Sequence, residues 1–270
     1  MSQHKVALLG VPVDHNSSYL KGAALAPARI REAIHCDSSN MWTELSVDLG
    51  NNENWVDAGD VVLPSSDRLQ TSQKIRETTL ELIGEGKRVL SFGGDHSVSF
   101  PLIDAHAQSY DGLNILHVDA HGDLYNDFEG NPLSHASPFA RLMETGRISR
   151  LLQVGIRTLN QHQREQAAKF GVEIIEMKDW SDTANIGFDG PVYLSVDLDG
   201  LDPAFAPGVS HHEPGGFSSR QVINLIHQFK GGLVGADIVE LNPHRDINNM
   251  TAMVAARLAK EIMARLLVGS

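Results

Sequence analysis

The sequence predicts an α/β fold in which helices cover a mainly parallel sheet. Strand-like and helix-like segments alternate along the 270 residues, which is typical of successive βαβ units. The strand-like segments are nearly continuous apolar runs, as expected when both faces of a sheet are covered. Hydrophobic residues make up 41% of the chain, enough for a sizeable core. Because no repeat, low-complexity tract or linker interrupts the pattern, we expect one domain over residues 1–270.

The first half of the chain contains three predicted strands and three predicted helices. Pro27 suits the first turn of a helix, and Gly84 and Gly86 suit the end of the next one. The third strand runs straight into Gly93-Gly-Asp-His-Ser97, and a third helix follows. In chain order, these elements are strand 5–13, helix 27–34, strand 55–63 at a sheet edge, helix 68–87, strand 88–92 and helix 100–108.

The second half begins with the strand at Asn114, whose apolar residues suggest burial on both faces. Ser218 is a plausible N-cap, and Val222, Ile223 and Ile226 have core spacing in the helix that follows it. In chain order, the remaining elements are helix 138–145, strand 150–156, helix 161–170, strand 172–176, strand 191–196, helix 218–229, strand 233–239 and helix 250–267.

The charge balance restricts the kinds of partner that this protein can bind. Lys plus Arg is 22 and Asp plus Glu is 34, which gives a net charge of -12. An acidic chain is a poor match for nucleic acid or an anionic membrane surface, and it suits a small cationic substrate. Cys36 is the only cysteine, so no intrachain disulfide can form. The first apolar run is too short for a transmembrane helix and lacks a signal cleavage site. We therefore expect a cytoplasmic location.

Polar residues follow four of the predicted strands. They are Asp95-His96, the segment Asp119 to Asp123, Asp197-Leu-Asp199 and Glu240. The carboxyl ends of parallel strands lie at one edge of a sheet, which is where ligands bind in open α/β folds. Strand side chains alternate, so Asp119, His121 and Asp123 point to the same side if the extended backbone continues. We expect these groups to converge.

Such a set of ligands predicts a metal centre. Five or six oxygen and nitrogen ligands exceed the needs of one zinc ion and suit two metals that share carboxylates. Because thiolates are absent, Mn²⁺ fits better than Zn²⁺. Two adjacent metals can lower the pKa of a bridging water. Glu240 is either a further ligand or a carboxylate for a cationic group, and His135 is a candidate proton carrier. His117 is either a support for the ligands or an ordinary buried histidine.

Four motifs resemble the signatures of the ureohydrolases, the arginase and agmatinase family. They are Gly93-Gly-Asp-His-Ser97, Asp119-Ala-His-Gly-Asp123, Ser195-Val-Asp-Leu-Asp-Gly-Leu-Asp-Pro203 and Asp237-Ile-Val-Glu-Leu-Asn-Pro243. They occur in the family's order along nearly the whole chain, and the segments around residues 128–137 and 202–211 look most like the plant-type arginases. One departure is Gly122, where plant-type sequences tend to have Pro.

The resemblance implies an arginase-like three-layer α-β-α sandwich that binds two Mn²⁺ ions. One ion would be held by His96, Asp119, Asp123 and Asp197, and the other by Asp119, His121, Asp197 and Asp199. Asp119 and Asp197 would bridge the two ions, and Asp119, His135 and Glu240 would form the catalytic set. Glu240 would bind the guanidinium group, His135 would shuttle protons, and a metal-bridging hydroxide would attack the guanidinium carbon. Members of the family are usually trimers or hexamers, so we expect a homotrimer or homohexamer.

The identity of the substrate stays open at this point. L-arginine is our first choice and agmatine the second, with another guanidino acid or formiminoglutamate as further alternatives. Asn131 and Ser134 flank His135 and are candidates for binding the amino-acid end of the substrate, whereas no Arg or Lys stands out near the site. A two-metal phosphoesterase would need cationic residues to hold phosphate, and Glu240 has the wrong sign. A non-catalytic relative would not need the complete set of ligands.

Overall fold

The computed structural model describes residues 5–51, 53–64 and 67–269. Within them, eight parallel strands form one sheet in the order β2-β1-β3-β8-β7-β4-β5-β6. The strands are β1 (Val6–Gly10), β2 (Trp55–Asp60), β3 (Arg88–Phe92), β4 (Leu113–Val118), β5 (Ile148–Ile156), β6 (Glu173–Glu176), β7 (Gly187–Asp197) and β8 (Lys230–Val239).

Among the described residues, six α-helices lie between successive strands and a seventh follows β8, and together they cover both faces of the sheet. They are α1 (Ala26–His35), α2 (Arg68–Gly84), α3 (Ser99–Ser109), α4 (Pro138–Glu144), α5 (Gln161–Phe170), α6 (Ser219–Gln228) and α7 (Met250–Val268). On one face, α1, α6 and α7 form a core with the sheet, and on the other the core includes residues of α2, α3, α4 and α5. This arrangement confirms the predicted three-layer α-β-α fold.

Several element boundaries differ from the sequence prediction for identifiable reasons. The first strand ends at Gly10 rather than Val13, because its pairing with β3 stops at Gly10 and Phe92. Strand β7 starts at Gly187 rather than Pro191, since Gly187 already pairs with Lys230 of β8 before the register shifts. The predicted N-cap of α6 is confirmed, because Ser218 forms a capping box with Gln221. Among the described helices, none combines the length and apolar character needed to span a membrane.

A buried row of polar side chains crosses the middle of the otherwise apolar sheet. The strand register pairs Ser91 of β3 with Asp237 of β8, Asp237 with Ser195 of β7, Ser195 with His117 of β4, and His117 with Gln153 of β5. All five residues are inaccessible to solvent. Because strand side chains alternate, this polar row lies one step below Asp119 and Asp197 on the same side of the sheet. It therefore forms the floor beneath the strand ends.

Candidate metal and substrate site

The carboxyl ends of four central strands bring the predicted ligands together. His96 follows β3 in a short 3₁₀ turn, Asp119 follows β4, Asp197 is the last residue of β7, and Glu240 follows β8. The turn at His96 is fixed by Asp95, whose side chain accepts a hydrogen bond from the Ser97 backbone N–H. These four strand ends lie side by side because of the order of the strands in the sheet. No single segment of the sequence reveals that order.

The imidazole of His96 faces three carboxylates. Its Nδ1 lies 3.1 Å from Oδ2 of Asp119, 3.0 Å from Oδ2 of Asp123 and 3.1 Å from Oδ2 of Asp197. All four residues are buried. Burial disfavours the charged imidazolium, but the three carboxylates outweigh it and hold the pKa of His96 well above its usual range. One half of the predicted metal centre is therefore assembled around His96.

The other ring nitrogen of His96 identifies which atom is available to a metal. Ser195 Oγ donates to Asp237 Oδ1 over 2.7 Å, so it accepts from His96 Nε2–H over 3.1 Å. In the neutral ring, the form that binds metal, the proton is on Nε2 and Nδ1 carries a lone pair; this buried Nδ1 has no hydrogen-bond partner in the described part of the chain. A lone pair facing three carboxylate oxygens is repulsive unless a cation, either a proton or a metal ion, lies between them. The donors fit a divalent ion, whose neighbouring ligands lie about 3 Å apart.

The second half of the centre is built on His121. Its Nδ1 lies 3.1 Å from Oδ2 of Asp199 and 3.5 Å from Oδ1 of Asp119. Asp119 thus directs Oδ2 toward His96 and Oδ1 toward His121, as expected for a carboxylate that bridges two ions. Asp197 contacts the His96 half, while its Oδ1 accepts a 2.8 Å hydrogen bond from the Asp199 backbone N–H. Its bridging role stays a prediction.

The close spacing of several buried carboxylates favours the binding of cations. Burial, together with the charges of Asp199 and Asp119, raises the pKa of Asp197 well above its usual range. Burial is also the largest influence on Asp199, whose pKa is raised to about 6. Burial opposes ionisation of Asp119 too, but His117 and the hydrogen bonds around it hold the pKa of Asp119 well below its usual range. Bound metal ions would favour the ionised form of all three groups.

His117 supports Asp119 from the polar row below. Gln153 donates its Nε2–H to His117 Nδ1 over 3.0 Å, which leaves the proton of the neutral ring on Nε2. That Nε2–H donates to Asp119 Oδ2 over 2.8 Å. Of the two readings of His117, the structure therefore favours a support for the ligands. The second nitrogen of its ring is engaged with Gln153, so His117 is not available as a further ligand in this arrangement.

Glu240 and His135 form a buried pair beside the cluster. Glu240 Oε1 accepts from the His96 backbone N–H over 2.9 Å and lies 3.0 Å from His135 Nδ1. Burial disfavours the Glu240 carboxylate, but these hydrogen bonds outweigh it and lower its pKa. Burial likewise disfavours the His135 imidazolium, yet Glu240 raises the pKa of His135 to about 9. His135 Nε2 lies 2.8 Å from the hydroxyl of Ser18.

The backbone of Glu240 is left-handed, with a φ of 64°. A non-glycine residue in this region carries strain of about 1–3 kcal/mol, and such residues cluster at functional sites. The Glu240 backbone N–H donates to the Gly94 carbonyl over 2.9 Å. This bond connects the end of β8 to the glycine turn after β3, so the turn that presents His96 also fixes the direction of the Glu240 side chain.

A cavity of about 170 Å³ opens onto this cluster. It is lined by His121, Asp123 and Asp197 on the metal side and by His135 opposite them. His211 also lines it, with its ring 5.4 Å from that of His135. We call it the catalytic cavity. Its remaining lining residues are Ser18, Tyr125, Phe128, Ala136, Thr158 and Gln163.

A second cavity of about 200 Å³ adjoins the first, and the two share Ser18 and Phe128. Asn131 and Ser134, the predicted substrate-binding residues, line this second cavity and not the catalytic one. Arg68, from the start of α2, also lines it. The sequence had suggested no cation near the site, because α2 is distant from every motif. We call this space the head cavity; it is further lined by His15, Asn16, Ser17, Glu129 and Gly130.

Comparisons with known proteins agree with this geometry. The sequence profile of the Arginase family matches residues 4–264. An arginase of Arabidopsis thaliana is 49% identical over 96% of this chain and 80% of its own length. An agmatinase of Bacillus anthracis is 32% identical over 97% of this chain and 91% of its own. The arginase structure from Medicago truncatula superposes with a TM-score of 0.90 at 44% identity, covering 98% of this chain and 88% of the other.

These relatives correct one expectation. Arginases from Arabidopsis thaliana and Oryza sativa, at 48–49% identity, bear names that place them in mitochondria or chloroplasts. The cytoplasmic location predicted from the sequence is therefore wrong on this comparison. The prediction rested on the composition and on the short first apolar run, and neither feature reports the compartment.

The ordered motifs, the three-layer fold and the Asp–His cluster at the strand ends agree with the profile match over most of the chain. Homologues in this group are metal-dependent hydrolases that cleave guanidino C–N bonds. On this evidence, the chain belongs to the arginase family.

Proposed function

We propose that this protein hydrolyses the guanidino group of L-arginine to ornithine and urea with two Mn²⁺ ions as cofactor. The observation that carries this proposal is the buried carboxylate of Glu240 beside the Asp–His cluster. Only 3% of Glu240 is exposed, and its Oε1 is held by His96 and His135. A carboxylate that stays ionised in this position suits a planar cation, which it can bind through paired hydrogen bonds.

The residues that would hold the ions follow from the contacts. His96, Asp119, Asp123 and Asp197 would hold one ion, and Asp119, His121, Asp197 and Asp199 the other. Hard oxygens with two imidazoles and no thiolate favour Mn²⁺. Ions bound there would supply a water of lowered pKa, so that hydroxide is available near neutral pH.

The reaction assigns separate tasks to Glu240 and His135. Water adds to the guanidinium carbon, the bond from this carbon to the substrate amine breaks, and the products are urea and a protonated amine. Glu240 orients the guanidinium and offsets its charge. The pKa of His135, raised to about 9, suits a group that takes up a proton near neutral pH and donates it to the leaving amine. Ser18 fixes the direction of this ring, since its backbone N–H donates to Nε2 over 3.2 Å and its hydroxyl lies 2.8 Å from the same nitrogen.

The head cavity favours L-arginine over agmatine. The two substrates differ by an α-carboxylate, and the cavity next to the catalytic one carries both a guanidinium, Arg68, and a carboxylate, Glu129. Within the described ranges, neither side chain forms an ion pair. Arg68 suits the α-carboxylate of an amino acid and Glu129 suits its α-ammonium group. Agmatine offers no group for Arg68.

The other candidate reactions fit this site less well. A phosphoesterase needs cations around the reacting group, yet the described lining of the catalytic cavity includes neither Lys nor Arg. Formiminoglutamate remains the minor alternative because it has an amidine C–N bond and carboxylates that suit Arg68, although its α-nitrogen is part of the amidine and leaves no ammonium group for Glu129. We further propose that residues 1–270 form a single domain and that the protein assembles as a homotrimer or homohexamer, as the family resemblance implies.

The test of this proposal is urea release from L-arginine, agmatine and 4-guanidinobutyrate by the protein with and without added Mn²⁺. We expect release that depends on metal and is fastest with L-arginine. If the metal-loaded protein releases urea from none of the three, the proposed function is wrong.

Two variants separate the tasks of the buried pair. Glu240→Gln should lower urea release at least about 100-fold, because the charge that offsets the guanidinium is lost, while the metal content stays unchanged. His135→Ala should slow turnover and also leave the metals in place. Loss of metal from Glu240→Gln would make Glu240 a ligand, and unchanged turnover in His135→Ala would remove its proposed role.

A further inference from the structure

One buried amide in the polar row, that of Gln153, contacts both His117, which supports Asp119, and the backbone between His121 and Asp123. Gln153 Nε2 donates to the Gly122 carbonyl over 2.6 Å and to His117 Nδ1 over 3.0 Å. Gln153 is inaccessible to solvent. Its carbonyl oxygen has no hydrogen-bond partner among the described residues, so both hydrogen bonds of this side chain are made by the amide nitrogen. Both protons of the Gln153 amide are therefore used in these two hydrogen bonds.

The first of these bonds leads to the ligand that is shared by both ions. Because Gln153 donates to Nδ1, the neutral His117 ring must carry its proton on Nε2, which donates to Asp119 Oδ2 over 2.8 Å. In the other tautomer, a lone pair would face the carboxylate. The amide therefore fixes the orientation of Asp119 through His117. Outer hydrogen bonds of this kind set the direction of metal ligands in proteins.

The second bond holds the backbone between two other ligands. Gly122 lies between His121 of one half and Asp123 of the other. Its position is closely confined, since a Cβ here would come within 2.6 Å of Gln163 Oε1 and 2.9 Å of Leu159 Cδ2. Asp123 has a left-handed backbone, with a φ of 48°. A hydrogen bond to the Gly122 carbonyl holds this turn where both neighbouring side chains reach the cluster.

We propose that Gln153 is a positioning residue for both metal ions, acting on Asp119 through His117 and on His121 and Asp123 through the Gly122 carbonyl. This inference rests on the two-Mn²⁺ centre of the proposed function and deepens it, because it concerns how the ligands are held rather than which substrate is chosen. In the polar row, the Ser195–Asp237 pair supports His96. The Gln153–His117 pair would support Asp119, His121 and Asp123.

The test measures metal binding directly. Protein stripped of metal with chelator is titrated with Mn²⁺ by calorimetry, and the bound Mn²⁺ is followed by electron paramagnetic resonance. Gln153→Leu should weaken Mn²⁺ binding by roughly 10- to 100-fold and change the resonance spectrum of the bound ions. The matched control is Gln166→Leu on α5, which also removes a buried amide whose Nε2 has no partner within the described residues.

A double variant shows whether the amide acts through His117. His117→Phe removes the ring nitrogen that donates to Asp119, so a further Gln153→Leu change can remove only the bond to Gly122. The losses of Mn²⁺ binding free energy in the two single variants should therefore add up to more than the loss in the double variant. If Gln153→Leu binds Mn²⁺ as tightly as Gln166→Leu, or if the single effects add in full, the proposal is wrong. A protein that binds Mn²⁺ normally yet releases no urea would instead contradict the proposed function.

Discussion

Replacement of Arg68 by Gln should change which guanidino substrate is hydrolysed best. Arg68 lines the head cavity together with Asn131 and Ser134, away from the metal ligands. Its loss removes one charge-assisted contact with the α-carboxylate. Such contacts are worth about 1.5–3 kcal/mol when formed with charged groups, and the exposure of Arg68 places this one at the lower end. We therefore expect kcat/KM for L-arginine to fall roughly tenfold, which corresponds to about 1.4 kcal/mol.

Three substrates that differ in their carboxylate and ammonium groups distinguish the loss of one contact from a general loss of activity. Agmatine lacks the carboxylate, so its kcat/KM should stay the same or rise when the positive charge is removed. 4-Guanidinobutyrate has a carboxylate but no ammonium group, so Arg68→Gln should slow it, whereas Glu129→Gln should slow L-arginine and agmatine, which both carry an ammonium group, and spare 4-guanidinobutyrate. Arg29→Gln is the control, because Arg29 pairs with Glu32 on α1 and is not part of the lining of either cavity.

Two outcomes would refute the reasoning about the head cavity. Equal losses for L-arginine and agmatine in Arg68→Gln would mean that Arg68 acts on the site as a whole. An unchanged kcat/KM for L-arginine would mean that the carboxylate is bound elsewhere. Binding of L-ornithine and putrescine by calorimetry gives a second readout without turnover: Arg68→Gln should weaken L-ornithine and spare putrescine.

Two further predictions concern stability. His106 is buried without a partner for Nε2 among the described residues, and burial lowers its pKa to about 4 from 6.5. The unfolded chain therefore binds this proton first as the pH falls, and up to about 3 kcal/mol of stability should be lost between pH 6.5 and 4. His106→Leu should unfold with a smaller pH dependence than the wild type in denaturant titrations at pH 7 and 5, and equal pH dependences would contradict this. Separately, Mn²⁺ at 1,000 times its dissociation constant should stabilise the metal-stripped protein by about 4 kcal/mol, or roughly 10 °C in melting temperature. A melting temperature that does not respond to Mn²⁺ would show that the carboxylate cluster does not hold the ion.

The parts of the site that the sequence revealed are those that lie next to each other along the chain. Asp119, His121 and Asp123 follow an apolar run, so a local pattern is enough to identify them. Glu240 and His96 required the further step that parallel strands end at one edge. That step depends on the fold class, which the alternation of segments predicts, rather than on the exact order of the strands.

The residues that the sequence did not reveal depend on strand order and on long-range packing. Gln153 lies between apolar residues of β5, and its pairing with His117 exists only because β4 and β5 are neighbours. Arg68 starts a helix whose sequence resembles an ordinary amphipathic one, and only the tertiary structure brings it beside Asn131. The two buried residues of the Ser195–Asp237 pair were part of recognised motifs, but their hydrogen bonds to each other could not be inferred from spacing.

The polar row also has a consequence for folding. A shift of one residue in the pairing of any central strand would turn its polar side chain to the opposite face and bring an apolar one into the row. Five strands from distant parts of the chain must therefore be paired in the correct register before His96 and Asp119 are supported. Parallel sheets with such long-range pairing fold slowly. Tight Mn²⁺ binding would then indicate correct strand pairing. Chains with a shifted strand register would be distinguished from native ones because they fail to retain Mn²⁺.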